Sequence, residues 1–448
     1  MALPASLNGT SPGTSPGPAA PVDVVELDGL SEIEVSWTDQ IGHALGKRLP
    51  AHRWPAALAS GVTFCDGALA WNVTADVQDG VGFTNWSTGY PDAIARPDVA
   101  TVRRLPWRDG VAHVLADVTT HAGEPLAAHP RAVLRRVVDA LARRGYTAQV
   151  ALELEFYLLT PGGEPVQDGV HCYSLEQADE LEPALSNIIG PLRDFTPVEA
   201  VNTEYGPGQV EVNLTHTDPL TAADDAFRLR YGLRALARRQ GLVASFMAKP
   251  FSGLSGSSAH LHLSLWREGS PALAPEGGAE PALTRHVVAG VLDHLPGITL
   301  YGAPTVNSYK RFEADSFAPT SAVWGGDNRT VAVRSILADP AASRIEVRTP
   351  GADANPYWVV ASVLAAAVVG IDEAADPGPK REGNLYGAGR PLPATLPDAL
   401  RAARTDGAVR AVLGEAAADD FAVVAGSEWT AWTREVTQWE RDRYLRRI

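Results

Sequence analysis

Four segments of the chain alternate strictly between apolar and polar residues: Leu152-Glu153-Leu154-Glu155-Phe156, Val210-Glu211-Val212-Asn213-Leu214, His260-Leu261-His262-Leu263-Ser264-Leu265 and Arg344-Ile345-Glu346-Val347-Arg348. A period of two predicts strands with one face toward a core. A strand rises about 3.3 Å per residue, so Glu153 and Glu155 share one side, roughly 7 Å apart. Taken singly, each segment reads as a half-buried antiparallel strand with a solvated polar face. Taken together, their polar faces carry Glu, His and Arg with almost nothing neutral, unlike the mixed faces usual on solvated strands. Carboxylates gathered on one face repel each other and need counter-charge. Carboxylate oxygens with an imidazole suit Mg²⁺ or Mn²⁺ better than a structural zinc.

A helical period appears elsewhere. His129-Pro130 opens a segment with Val133, Val137, Val138 and Leu141 on one side, stopped by Gly145. Thr221 stands three residues before Asp224 in a capping-box-like start, and that helix is expected to run to Gly241. Asn355-Pro356 reads as an N-cap followed by proline at the first helical position. The uncharged stretch from Pro356 to Ile371 falls short of the roughly 20 residues that span a bilayer, so it predicts a buried core helix. A last helix from near Ser427 is expected to turn Trp429, Trp432, Val436 and Trp439 toward the core. Residues 23–125 read as short strands and turns, punctuated by Gly67, Gly80, Gly82, Gly89 and Tyr90-Pro91-Asp92. Residues 1–22 carry no charge and are rich in Pro, Gly, Ser, Thr and Ala, a composition that predicts a disordered tail.

Composition narrows the partners. With 38 basic and 53 acidic residues in 448, the net charge is −15 and no basic tract exists, which argues against nucleic acid. Two cysteines, Cys65 and Cys172, cannot form a disulfide framework or a Cys-rich zinc site. The N-terminus lacks the pattern of a signal peptide. A cytoplasmic protein without membrane attachment is expected. No Walker A motif occurs: Gly42-His43-Ala44-Leu45-Gly46-Lys47-Arg48 has the wrong spacing and lacks Ser or Thr after Lys. A nucleotide here needs metal-binding carboxylates and arginines, a combination that suits phosphoryl transfer.

These motifs resemble the glutamine synthetase superfamily. The matching strings are Glu-Leu-Glu at 153–155, Gly-Pro-Gly-Gln-Val-Glu at 206–211, Met-Ala-Lys-Pro at 247–250 and His-Leu-His-Leu-Ser at 260–264. Further on come Asn-Ser-Tyr-Lys-Arg at 307–311, Asp-Asn-Arg at 327–329, Arg-Ile-Glu-Val-Arg at 344–348 and Gly-Ala-Asp-Ala-Asn-Pro-Tyr at 351–357. The resemblance implies an α+β fold. A small β-grasp domain covers 23–125, and a catalytic α/β domain with an antiparallel sheet covers 126–448. It also implies a homododecamer of two hexameric rings, with active sites between neighbouring subunits.

Carried over position by position, Glu155, Glu204 and Glu211 match the ligands of one metal ion, and Glu153, His260 and Glu346 those of the other. His262, Ser264, Arg334 and Arg344 fall on nucleotide-binding positions. Arg311, Arg329 and Arg348 fall where the glutamate carboxylate or the transferring phosphate is held, and Gly256 lies in the glutamate-binding loop. Asp66 matches the aspartate that serves the nitrogen site from a neighbouring subunit. Tyr386 falls where some members are adenylylated, but its surroundings depart from that pattern and no modification is expected. Three positions depart from the ammonia-using enzymes: Phe317 replaces a flap glutamate before Ala-Pro, Ala68-Leu69 replaces paired serines, and Ser255 replaces an asparagine. The first two predict an organic amine as nucleophile, in the manner of the γ-glutamylpolyamine and γ-glutamylamide synthetases. The implied activity is ATP-dependent ligation of the γ-carboxylate of glutamate to a polyamine or monoamine through γ-glutamyl phosphate. Glutamine synthetase proper and a non-catalytic relative of the same fold are the alternatives.

Overall fold

The computed structural model describes residues 29–169, 172–275 and 280–448, and the expected tail at 1–22 lies outside them. Strands β1 (Glu32–Thr38), β2 (Ala44–Pro50), β3 (Val62–Cys65), β4 (Asp92–Pro97), β5 (Arg103–Arg104) and β6 (Val111–Thr119) form a first sheet in the order β2-β1-β6-β4-β3, with β5 beside β6. Strand β1 runs parallel to β6 and antiparallel to β2. Alternation inside these strands builds a small core of its own around Ile33, Val35, Trp37, Phe64 and Val114, in which Trp37 stacks on Phe64 with 4.1 Å between ring centroids.

The second sheet has nine strands. They are β7 (Thr147–Leu159), β8 (Val198–Thr203), β9 (Gln209–Leu214), β10 (Val243–Ser245), β11 (Ala259–Arg267), β12 (Ser270–Pro271), β14 (Trp324–Gly325), β15 (Val333–Ile336) and β16 (Arg344–Val347); β13 (Ser321–Ala322) pairs elsewhere. The main path is β14-β15-β16-β11-β7-β9-β8, antiparallel throughout except for the two-residue β14 against β15. All four alternating segments lie in this sheet. Their apolar faces, with Leu152, Leu154, Val210, Val212, Leu261, Leu263 and Ile345, enter the main core.

Helices cover that core. Pro130–Ala142 forms as expected, and Gly145 follows it at φ +80°, a conformation glycine adopts without steric cost. The helix expected from Thr221 begins earlier, at Pro219. Asp218 is its cap, accepting from the N–H groups of Leu220 and Thr221, and Asp-Pro was the stronger start signal. Pro356–Glu373 is long and apolar enough to cross a membrane but is packed inside the protein. Its cap, Asn355, accepts from Tyr357 N–H (3.1 Å) and donates to the Asp39 carbonyl (2.9 Å), which ties the loop after β1 to the buried helix. The C-terminal expectation is corrected. One helix spans Glu415–Arg434, and a second, Gln438–Tyr444, starts at a capping box between Thr437 and Glu440. The break at Glu435 destroys the helical spacing of the aromatic residues. Trp429 packs against the core, while Trp432, Val436 and Trp439 are exposed.

Candidate active site

Sheet register brings the polar residues together. His260 pairs across strands with Glu153, His262 with Glu346, Glu155 with Glu211 and Arg334 with Glu346. Among the described residues, two triads have ligand atoms all within 4.8 Å of one another: Glu153, Glu211 and His260, and Glu153, His262 and Glu346. This grouping differs from the one expected. Glu153 joins both triads, and His262 joins one of them.

One end of the cluster is compensated from within. Glu346 is fully buried; Arg334 Nη1 donates to it at 2.8 Å, and Arg348 Nη1 donates to its other oxygen. Burial raises its pKa, but Arg348, then His260, His262 and Arg334, outweigh burial and hold it at about 2. Glu153 lies 3.4 Å from His260 Nδ1 and 2.9 Å from His262 Nε2. Burial opposes its charge, and the two imidazoles outweigh that and hold the carboxyl well below the usual range. Arg344 Nε donates to His262 Nδ1 (3.1 Å).

At the other end compensation falls short, since Arg311 and Arg348 favour the charge of Glu155 but do not outweigh burial. Glu155 accepts from Ser258 N–H (2.9 Å) and Gln209 Nε2 (3.1 Å), yet burial and then the Glu204 charge push it up to about 7. Glu211 accepts from Asn213 Nδ2 (3.1 Å); burial, then Glu153, Glu155 and Glu204, push it up to about 8. Glu204 is raised by burial despite the Tyr205 N–H and Asn202. Carboxylates that repel one another and are held by neutral donors suit a hard divalent cation, so the residues present fit Mg²⁺ or Mn²⁺, although of these three only Glu211 belongs to one of the two close triads.

Around this cluster lie the expected substrate residues. Arg311 is buried across Gly256, where a Cβ would come within 2.5 Å of Arg311 Cγ and 2.7 Å of the Ala248 carbonyl. Its guanidinium donates to Ser258 Oγ (3.1 Å) and to the Thr349 carbonyl. A cavity of about 400 Å³ is lined by Glu153, His262, Ser264, Trp266 and Arg344. It takes in three of the four expected nucleotide residues. The fourth, Arg334, is folded onto Asp327 (2.9 Å) and Glu346. Arg329 is exposed in the turn after β14.

The sequence model of the glutamine synthetase catalytic domain matches residues 127–444. The chain belongs to the glutamine synthetase family. A glutamate–isopropylamine ligase of a Pseudomonas species is 34% identical over 443 residues, covering 94% of this chain and 96% of that protein. A γ-glutamylethanolamide synthetase of Streptomyces coelicolor is 35% identical over 453 residues, covering 96% of each. The solved structure of apo GmaS superposes with a TM-score of 0.83 at 31% identity, over 93% of this chain and 97% of the other.

Within this glutamine synthetase catalytic fold, two expected residues stand apart from the cluster. Asp66 is buried directly after β3, at the start of the 3-10 turn Asp66–Ala70, and accepts from Thr84 Oγ1 (2.5 Å); burial raises its pKa. Phe317 stands on the flap with its ring exposed. Sequence reasoning missed Gln209, which joins three parts of the site. Its Nε2 donates to Glu155 and to the Gly256 carbonyl (3.0 Å), and its Oε1 accepts from Gly206 N–H (2.8 Å). The signal was present: Gln209 has the same parity along β9 as Glu211. Ser258 and Tyr205 were also missed, since both lie in the Gly-containing loops that precede β11 and β9, outside the alternating segments.

Proposed function

We propose that this protein is an ATP-dependent ligase joining the γ-carboxylate of L-glutamate to an organic amine. A carboxylate is a poor electrophile. Transfer of the γ-phosphoryl group of ATP to a γ-carboxylate oxygen gives ADP and γ-glutamyl phosphate, which has phosphate as a leaving group. The amine nitrogen then bonds to the carbonyl carbon, the carbon–oxygen bond to phosphate breaks, and the nitrogen gives up a proton to a base. Glu155, Glu204 and Glu211, with Glu153, His260 and Glu346, are the residues that would hold Mg²⁺ or Mn²⁺, which when bound neutralises charge on phosphoryl oxygens.

His262, Ser264, Arg334 and Arg344 serve the nucleotide. Arg311, Arg348 and Gly256 hold glutamate, and Arg329 holds the phosphoryl group in transfer. Asp66 is the base, supplied by a neighbouring subunit; in its own protomer it follows β3 and accepts from Thr84 Oγ1. That assignment goes with a homododecamer of two hexameric rings, a β-grasp identity for residues 23–125, a catalytic domain over 126–448 and a cytoplasmic setting.

The observation that carries the amine reading is Phe317: its ring is exposed at the flap position that, by the resemblance, is a glutamate in ammonia-using enzymes, and a ring packs on an alkyl amine. The amines named for the isopropylamine ligase and the ethanolamide synthetase support the same choice. Purified protein is expected to release phosphate only when glutamate, Mg²⁺ and an amine are all present. Equal turnover with ammonium and with every amine tried would sink the reading. Phe317→Glu is expected to gain ammonium-dependent turnover.

A further inference from the structure

Beside the cluster stands an aromatic pair to which the chemistry above assigns only half a role. Tyr205 directly follows Glu204, and its ring centroid lies 5.3 Å from that of Phe317, the planes tilted by 30°. Both rings are open, 44% and 42% exposed, so neither fills a core. Phe317 also sits at φ +58°, a left-handed backbone that is costly for a bulky side chain and persists only where surrounding contacts impose it. Three contacts do so here. Its N–H donates to the Tyr386 hydroxyl (2.7 Å), its carbonyl accepts from Arg348 Nη2 (3.3 Å), and its ring meets Tyr205. Arg348 in turn holds Glu346. The pair is therefore tied to both ends of the cluster, through Glu204 on one side and through Arg348 and Glu346 on the other.

We infer that Tyr205 and Phe317 form the slot that receives the substituent of the amine, and that this slot selects short aliphatic monoamines over diamines and polyamines. The inference rests on the ligase reading above and names its substrate class. Two ring faces offer an alkyl chain dispersion contact and removal from water, with no direction for a second charge. The nearby acids have other partners or places. Glu346 is bonded by two arginines, and Glu313 pairs with Lys249 Nζ at 2.7 Å. Asp315, two residues before Phe317, lines a cavity of about 330 Å³ with Tyr386 and Asn384 and is the flap acid a second ammonium would meet there. Tyr386 is a positioning residue, because its hydroxyl fixes the backbone that presents Phe317.

The test is the amine kinetics of the full protein with methylamine, ethylamine, propylamine and the diamine of the same chain length as propylamine. Burial of each added methylene is expected to raise kcat/KM about fourfold. The diamine is expected to fall at least about tenfold below propylamine, since its distal charge stays unpaired against the rings. In Tyr205→Ala the methylene increment collapses while KM for glutamate and for ATP holds; Tyr205→Phe, which keeps the ring, restores the increment. A flat series in an active wild-type enzyme overturns the slot and leaves the ligase standing. So does a preference for the diamine that Asp315→Asn abolishes. Absence of any amine-dependent phosphate release overturns the ligase reading and the slot with it.

Discussion

At one end of the polar sheet face, Glu346 lies between the guanidinium groups of Arg334 and Arg348; at the other, Glu155 and Glu211 oppose each other across β7 and β9 with only neutral donors bonded to them. The side chain is the same and the burial is similar, yet the first carboxyl is held at about 2 and the other two are pushed up to about 7 and 8. Desolvation opposes the charge in all three cases, so the neighbours decide the sign. Glu346, besides being a proposed cation ligand, fixes Arg348 and through it the flap carbonyl of Phe317. Glu155 and Glu211 are complete only when something positive arrives from outside the chain.

The two ends should therefore respond in opposite directions to the same substitution. Glu346→Gln leaves Arg348 buried without its carboxylate and is expected to lower unfolding free energy by about 3–5 kcal/mol, read by denaturant titration in chelator. Saturating Mg²⁺ is expected to stabilise the wild type by about 2.7 kcal/mol at a hundred times its Kd. At about pH 9, where Glu211 is ionised, Glu211→Gln removes one of the mutually repelling charges. It is expected to raise stability in chelator by about 0.5–2 kcal/mol while abolishing the Mg²⁺ shift and the activity. If Glu346→Gln and Glu211→Gln destabilise the chelated protein equally, the contrast between the two ends is wrong.

Local and long-range information separate cleanly in this molecule. The alternating segments were legible because strand parity needs only neighbouring residues. The cap at Asn355-Pro356 was legible for the same reason, and the break before Thr437 was available in Thr437-x-x-Glu440 but was overridden by the spacing of Trp432 and Trp439. The opposition of His260 to Glu153, and the sharing of Glu153 between two triads, depend on register between strands far apart in the chain, which no local pattern encodes. The contact of Tyr205 with Phe317 was still less accessible. It joins a tight turn to a flap through a left-handed Phe, where sequence alone predicts an ordinary extended or turn backbone. Among the described residues of one chain Asp66 shows no such link; it directly follows β3 and accepts from Thr84 Oγ1.

The smallest expected effect tests the contrast at the level of one hydrogen bond. Asn213 Nδ2 donates to Glu211 at 3.1 Å, and Asn213 also lines the cavity beside Glu153. If that bond stabilises an otherwise uncompensated charge, Asn213→Ala should cost about 1 kcal/mol in chelator. The cost should shrink in a Glu211→Gln background, where the acceptor is no longer charged. A double-mutant cycle then reads a coupling of about 0.5 kcal/mol or more, and residues in direct contact are where such coupling is found. A cycle that closes with no coupling would mean that Asn213 only fills space beside Glu211. The burden of compensating Glu211 would then fall wholly on the bound cation, and the Mg²⁺ shift in Asn213→Ala would equal that of the wild type.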